Sequence, residues 1–170
     1  MGAQELRDMA TTHGTIELED LTTMRDAMAA LLTLTDRSVD ILTRSLDQRL
    51  YDNELIIDQL KRVGMGSRRA RIRILIHDAT ALSRGGHRLW ALMRRLPSYF
   101  ELRVPSRDYR NLPTAFLVAD GIGSIYQPNS EIYAGIAEFY DPVRADALRR
   151  QFEQMWEPAQ PSPELRTMTI

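Results

Sequence analysis

Apolar residues recur along this chain in two periods, one helical and one of strands, and the periods alternate from segment to segment. Residues 17–35 carry the first helical pattern. Leu18, Leu21, Met24, Met28, Leu31 and Leu32 share a face, and Glu17, Glu19 and Asp20 fall in the expected first turn. This predicts an N-terminal amphipathic helix that buries its stripe against its own sheet or a partner. Residues 38–43 (SVDILT) read as a strand. A helix capped by Asp52 or Asn53 follows, with Leu55, Ile56, Leu60 and Val63 inward and Gly64 as its stop. RIRILIHD, residues 71–78, is the clearest strand, apolar enough to be central and covered on both faces. Leu89, Leu92, Met93 and Leu96 line a helix over residues 87–96, which Pro97 ends. YFELRV, residues 99–104, alternates as a strand does.

The other elements are layered on one stretch, NLPTAFLVADGIGSIYQP, residues 111–128. Phe116, Leu117 and Val118 suit a buried strand, and Ser124, Ile125 and Tyr126 begin its return. Asp120 and Gly121 form a hairpin dipeptide, and Gly123 is expected to add a second permissive position. GIAEFY, residues 135–140, reads as a further strand. Asp141 and Pro142 open a last helix, with Val143, Leu148, Phe152 and Met155 or Trp156 inward. In the tail, Met168 and Ile170 alternate with Thr and suit an edge strand.

Helices between strands imply crossovers, and the hairpin implies an antiparallel part. The predicted fold is therefore α/β, with a mixed β-sheet flanked by helices, in a single domain with an N-terminal helix. Residues 1–15 read as a disordered lead-in, 16–157 as the domain and 158–170 as a tail.

Composition narrows the function classes. The chain is 44% hydrophobic and 26% charged, and its net charge of −1 offers no overall attraction for nucleic acid or membrane. Lys61 is the only lysine, so the cations are almost all Arg, either from a GC-rich genome or for bidentate pairing with carboxylate or phosphate. Cysteine is absent, which excludes disulfides and thiolate sites. No apolar run approaches a membrane span, and the polar N-terminus has no apolar signal region, so a cytoplasmic location is expected.

Two groups of residues are candidates for chemistry. His77 and Asp78 end the central strand, where open α/β sheets place ligand clefts; Asp78 also suits an ordinary cap. Residues 61–73 are densely basic: Lys61, Arg62, Arg68, Arg69 and Arg71, with Arg73 closing the run, can neutralise phosphates or remain a solvated loop. The run lacks the interleaved aromatics of a single-strand stacking platform. His13, His77 and His87 lack metal-ligand spacing, and no phosphate loop, nucleophile elbow or dinucleotide fingerprint occurs, so neither metal nor cofactor is expected.

From residue 38 to 156 the chain resembles a single phospholipase D-like domain. RIRILIHD with its following helix and YFELRV strand, the PTAFLVADGIGSIY hairpin, and the last helix with Phe152 and Trp156 carry the likeness. LDQRLYD, GHRLWALMRRLPS and the FLVAD hairpin are similar to an uncharacterised proteobacterial domain of this superfamily, often C-terminal to N-acetyltransferase domains. The resemblance implies a homodimer and an acetyltransferase-linked partner. Active members carry His-x-Lys and then Asp five residues after the Lys. Aligning Asp120 with that Asp puts Pro113 at the His position and Ala115 at the Lys position, so nucleophile and phosphate-binding cation are both missing. Asp120 is then expected to hold its own turn through neighbouring backbone N–H groups.

The leading reading is a non-catalytic binding or regulatory domain. Its ligand would lie in a strand-end cleft lined by Arg44, Asp47, His77, Asp78 and Arg103. Two alternatives stand beside it: nucleic-acid or nucleotide binding through residues 61–73, and an enzyme of unfamiliar chemistry at His77 and Asp78.

Overall fold

The computed structural model describes residues 14–162, together with Gln4 and Asp8. The expected lead-in, apart from those residues, and the tail strand at Met168 and Ile170 lie outside the described residues. The elements are β1 Thr15–Leu18, α1 Leu21–Thr33, β2 Ser38–Thr43, α2 Gln48–Tyr51, α3 Glu54–Met65, β3 Arg71–Ile76, α4 Arg88–Arg95, β4 Phe100–Val104, β5 Ala115–Ala119, β6 Gly123–Gln127, β7 Gly135–Glu138, α5 Pro142–Trp156 and β8 Gln160–Pro161. Short 3-10 turns at Thr80–Arg84 and Arg107–Tyr109 complete them. The strands form one mixed sheet in the order β1-β7-β6-β5-β2-β3-β4-β8. β2, β3 and β4 are parallel, and the other pairings are antiparallel. The fold class is the mixed α/β architecture expected.

The chain enters differently from its periodicity. Residues 15–18 form β1, paired to β7, where residue 15 was expected in the lead-in and residues 17 and 18 in the first helix. Asp20 decides the boundary: its carboxylate accepts from Thr23 N, and Thr23 Oγ1 accepts from Asp20 N, a capping box that starts α1 at Leu21. Leu18 is still buried, but from the strand. Gly64 does not stop α3; it lies inside it, packed on Tyr99, and Gly66 caps the helix. β3 ends at Ile76, leaving His77 and Asp78 just beyond it.

Alternation along the strands feeds two cores. On one face Ile41, Ile72, Ile74, Leu117 and Ile125 pack with α1, α3 and α4. On the other Leu42, Leu75, Phe116 and Val118 pack under α5, whose Phe152 and Trp156 are buried and stacked 5.5 Å apart. Val143, expected inward on α5, is exposed, because it lies in the helix's first turn beyond the sheet.

The α5 face also buries charge. Asp40 on β2 lies directly across from Arg73 on β3, with Nε to Oδ1 at 2.8 Å, and Glu153 of α5 reaches the same guanidinium at 2.6 Å. The guanidinium lies 5.0 Å from the Phe152 ring and 5.4 Å from the Trp156 ring. Burial opposes its charge, but hydrogen bonds to Asp40 and Glu153 outweigh burial and hold Arg73 above its usual range. Arg73 therefore belongs to the core, not to the basic surface its neighbours suggested.

At the hairpin, Asp120 and Gly121 both have positive φ, and Ile122 N donates to Ala119 O, as a type I′ turn requires. Gly123 is needed for space rather than for φ: a Cβ there would stand 2.9 Å from Phe139 O and 2.6 Å from Leu31 Cδ1. Asp120 does not bond its own turn as expected. Its carboxylate accepts from Asp36 N, Arg37 N and Ser38 N at 2.8–2.9 Å, tying the α1–β2 loop to the hairpin.

Two stability predictions follow from these contacts. Arg73→Met leaves the Asp40 carboxylate buried and unpaired, which costs ~3–5 kcal/mol in urea denaturation, whereas Asp40→Leu with Arg73→Met recovers most of that loss. A single-variant loss below ~1 kcal/mol contradicts the buried network. Asp120→Ala orphans three N–H groups and loses a side chain that tolerates positive φ, costing ~2–3 kcal/mol. Asp120→Asn, which keeps one acceptor and the backbone tolerance, should lose less.

Candidate functional site

The parallel strands deliver Arg44, Ser45 and Asp47 from β2, and His77 and Asp78 from β3, to the carboxyl end of the sheet. Ala115 begins the antiparallel β5 at the same end. Here lies a cavity of about 40 Å³, lined by Arg44, Ser45, Asp47, Ala115, Gln127 and Tyr133 among others. Such a volume holds a few waters at most.

The polar groups around the cavity are largely engaged with the protein itself. Tyr133 Oη donates to Asp47 Oδ2, and the other Asp47 oxygen accepts from Arg49 N, capping α2. Burial first, then this bond and the Asp47 charge, push the Tyr133 phenol up; burial and Asp47 do the same to Tyr51. Both phenols are thus neutral. Gln127 Nε2 donates to Ile132 O at 2.7 Å. Arg44 Nη2 donates to Arg110 O and Leu112 O, pinning the loop that precedes β5. Pro113 is exposed, and its carbonyl accepts from Ser130 N. The loop into Asp47 passes through Leu46 at φ 54, a costly backbone for that residue, fixed by Thr43 Oγ1 on its N–H and by His87 Nε2 on its carbonyl.

Of the five cleft candidates, Arg44 and Asp47 line the cavity. His77 stands beside Arg44. Burial and the Arg44 charge push its imidazole down to about 4, so it is neutral near pH 7. Its Nε2 is buried without a hydrogen-bond partner, as is Thr114 Oγ1. Asp78 turns its carboxylate to the Thr80 hydroxyl and N–H, which together hold it below the usual carboxylate range. It does not orient His77, so the pair is not an acid–base dyad. Arg103 lies elsewhere, 4.2 Å over the Trp156 ring under α5, bonded to Trp156 O and Glu101. Tyr133, Gln127 and Ser130 were missed by sequence reasoning: Gln127 ends β6 and the other two follow it, and only folding returns them to β2. Among the described residues no group of three or more His, Asp or Glu side chains converges to hold a metal.

Among the basic candidates, Arg62 donates to Leu32 O and Thr35 O and so finishes α1. Lys61, Arg68, Arg69 and Arg71 are exposed. They lie at the opposite end of the sheet from the cavity.

Residues 20–168 match the family described as "Domain of unknown function (DUF7931)". The chain belongs to that family. No curated protein sequence matches this DUF7931 domain. Solved structures match its fold. TrmBL2, an archaeal chromatin protein whose structure is described as showing a novel mode of DNA binding, superposes with a TM-score of 0.63 at 12% identity. That match covers 94% of the DUF7931 chain and 59% of TrmBL2, so this chain spans little more than half of that protein. Nuc from Salmonella typhimurium, a phospholipase D family member, gives 0.59 at 12% identity, covering 88% and 97% of the two chains. NucT from Helicobacter pylori gives 0.57 at 11%, covering 88% and 99%. The DUF7931 domain therefore has the phospholipase D-like fold.

His77 makes a pH prediction. Its folded value is depressed, so its contribution is intact above the unfolded value of 6.5 and is lost as pH falls through about 4. The melting temperature of the wild type should fall more between pH ~7 and ~5 than that of His77→Asn. Parallel falls would show that His77 carries no such linkage.

Proposed function

We propose that this domain is a non-catalytic phospholipase D-like module that binds or regulates. The observation that carries this reading is the cavity beside Ala115: the positions aligned with nucleophile and cation hold Pro113 and Ala115, and the space left is about 40 Å³. A phosphodiester needs an attacking group and donors poised for the developing charge. Tyr133 and Asp47 are bonded to each other, and Arg44 commits Nη2 to two loop carbonyls. His77 is neutral, but among the described residues no carboxylate bonds it and Arg44 is the cation that acts on it. This argues against the unfamiliar-chemistry alternative at His77 and Asp78. Asp120 is spent on three backbone N–H groups at the far end of the hairpin strand.

The description of TrmBL2 as DNA-binding supports reading the fold as a binding module and makes nucleic acid the first ligand class to test. A homodimer and an acetyltransferase-linked partner, both implied by the phospholipase D-like resemblance, belong to this proposal.

Purified protein should show no turnover of a fluorogenic phosphodiester above background, and Pro113→His alone should not create any, since the cation would still be absent. Turnover that disappears in Asp120→Asn while the fold survives would overturn the non-catalytic reading.

A further inference from the structure

At the amino ends of the parallel strands, opposite the cavity, segments distant in sequence meet. Residues 36–37 lead into β2, 66–70 into β3 and 96–99 into β4. Arg71 N donates to Arg37 O at 2.8 Å, and α3 packs on the residue before β4 so closely that a Cβ at Gly64 would stand 3.0 Å from Tyr99 Cβ. α3 and α4 both end here and bring Lys61 and the pair Arg94 and Arg95. Arg37, Arg68, Arg69 and Arg71 join them from the strand entries. All seven side chains are exposed, and none has a hydrogen bond or ion pair among the described residues. Arg62, the eighth cation, is held by the α1 carbonyls.

The charge is segregated. Residues 36–37, 58–71 and 94–99 hold eight cations and two carboxylates, Asp36 and Asp58. The chain has 22 cations and 23 acids, so the remainder holds 14 against 21. The near-zero total hides one strongly basic end on an otherwise acidic molecule. The nearby carboxylates offset it only in part: Asp120 faces three N–H groups, and Glu153 is bonded to Arg73 and also attracts Arg71. Helix C-termini attract cations, but only Arg62 touches their carbonyls, which leaves the rest facing outward.

We propose that this basic end docks duplex nucleic acid through its phosphate backbone, independent of sequence. Guanidinium groups fork onto phosphate oxygens, and a row of them suits an extended polyanion. The segments between the arginines carry one aromatic, the half-buried Tyr99, too few to stack a run of unpaired bases, so a duplex fits better than a single strand. The inference deepens the non-catalytic binding reading by naming a ligand class and moving its surface away from the cavity.

The test is fluorescence anisotropy of the full chain on a short labelled duplex DNA of mixed sequence, from about 50 to 200 mM salt. Wild type should bind with affinity falling steeply as salt rises. Arg68→Ala with Arg69→Ala, and separately Arg94→Ala with Arg95→Ala, should each weaken binding and lower the salt slope by about 2. Melting temperatures should barely move, since exposed charges contribute little to stability. Arg84→Ala with Arg107→Ala, exposed beyond the other end of the sheet, should match wild type. The proposal is overturned if wild type shows no salt-dependent binding, or if the Arg94 and Arg95 pair behaves as wild type. It is equally overturned if the control pair loses as much, or if polyglutamate or anionic vesicles compete better than unlabelled duplex. Absent binding leaves the non-catalytic reading intact, whereas cleaved duplex on a gel sinks that reading and not this one.

Discussion

The sheet depends on one buried charge, Arg73. It stands on a central strand with Asp40 directly opposite on the next, roofed by Phe152 and Trp156 and reached by Glu153. A buried ion pair need not stabilise a fold relative to apolar residues, but it is intolerant of misalignment. A slip of one residue between β2 and β3 would turn either charge toward the apolar face beneath α1 and α3. The pair thereby fixes the register of the parallel strands, and Glu153 fixes the position of α5 over them.

That register decides what the two ends of the sheet can do. At the carboxyl end it brings Arg44 between the β5 approach and His77, and hydrogen bonds from Arg44, Tyr133 and Gln127 then close the space. Each donor satisfied by the protein itself is one fewer for a ligand. At the amino end, the loops that enter β2, β3 and β4 are brought level. Asp120 ties the first of them to the hairpin, so the exposed arginines sit on an ordered edge rather than on a free loop. The exposed arginines and the cavity therefore lie at opposite ends of the same strands.

Much of this was written in local pattern. Hydrophobic period located β2, β3, β4, the hairpin and the last helix to within a residue or two, because each buries a face that its own side chains define. The order of helices and strands predicted a mixed sheet, and the phospholipase D-like resemblance implied that Pro113 and Ala115 stand where active members carry His and Lys. Periodicity failed at residues 15–18, where Glu17 and Leu18 suit either a strand or the start of a helix. The choice fell to pairing with β7, more than a hundred residues away, and to the Asp20 cap.

The sequence by itself determined the fold class and most of the elements, since these depend on residue type and short-range order. Only the tertiary structure decided what each charge does. Arg62, Arg71 and Arg73 lie in one basic run, yet one ends a helix, one faces solvent and one is core. Asp120 serves a loop 82–84 residues away rather than its own turn. Arg103 stacks on Trp156 instead of lining the cleft. A charged side chain is long and finds its partner through space, and the distance between partners along the chain carries no period that a sequence displays.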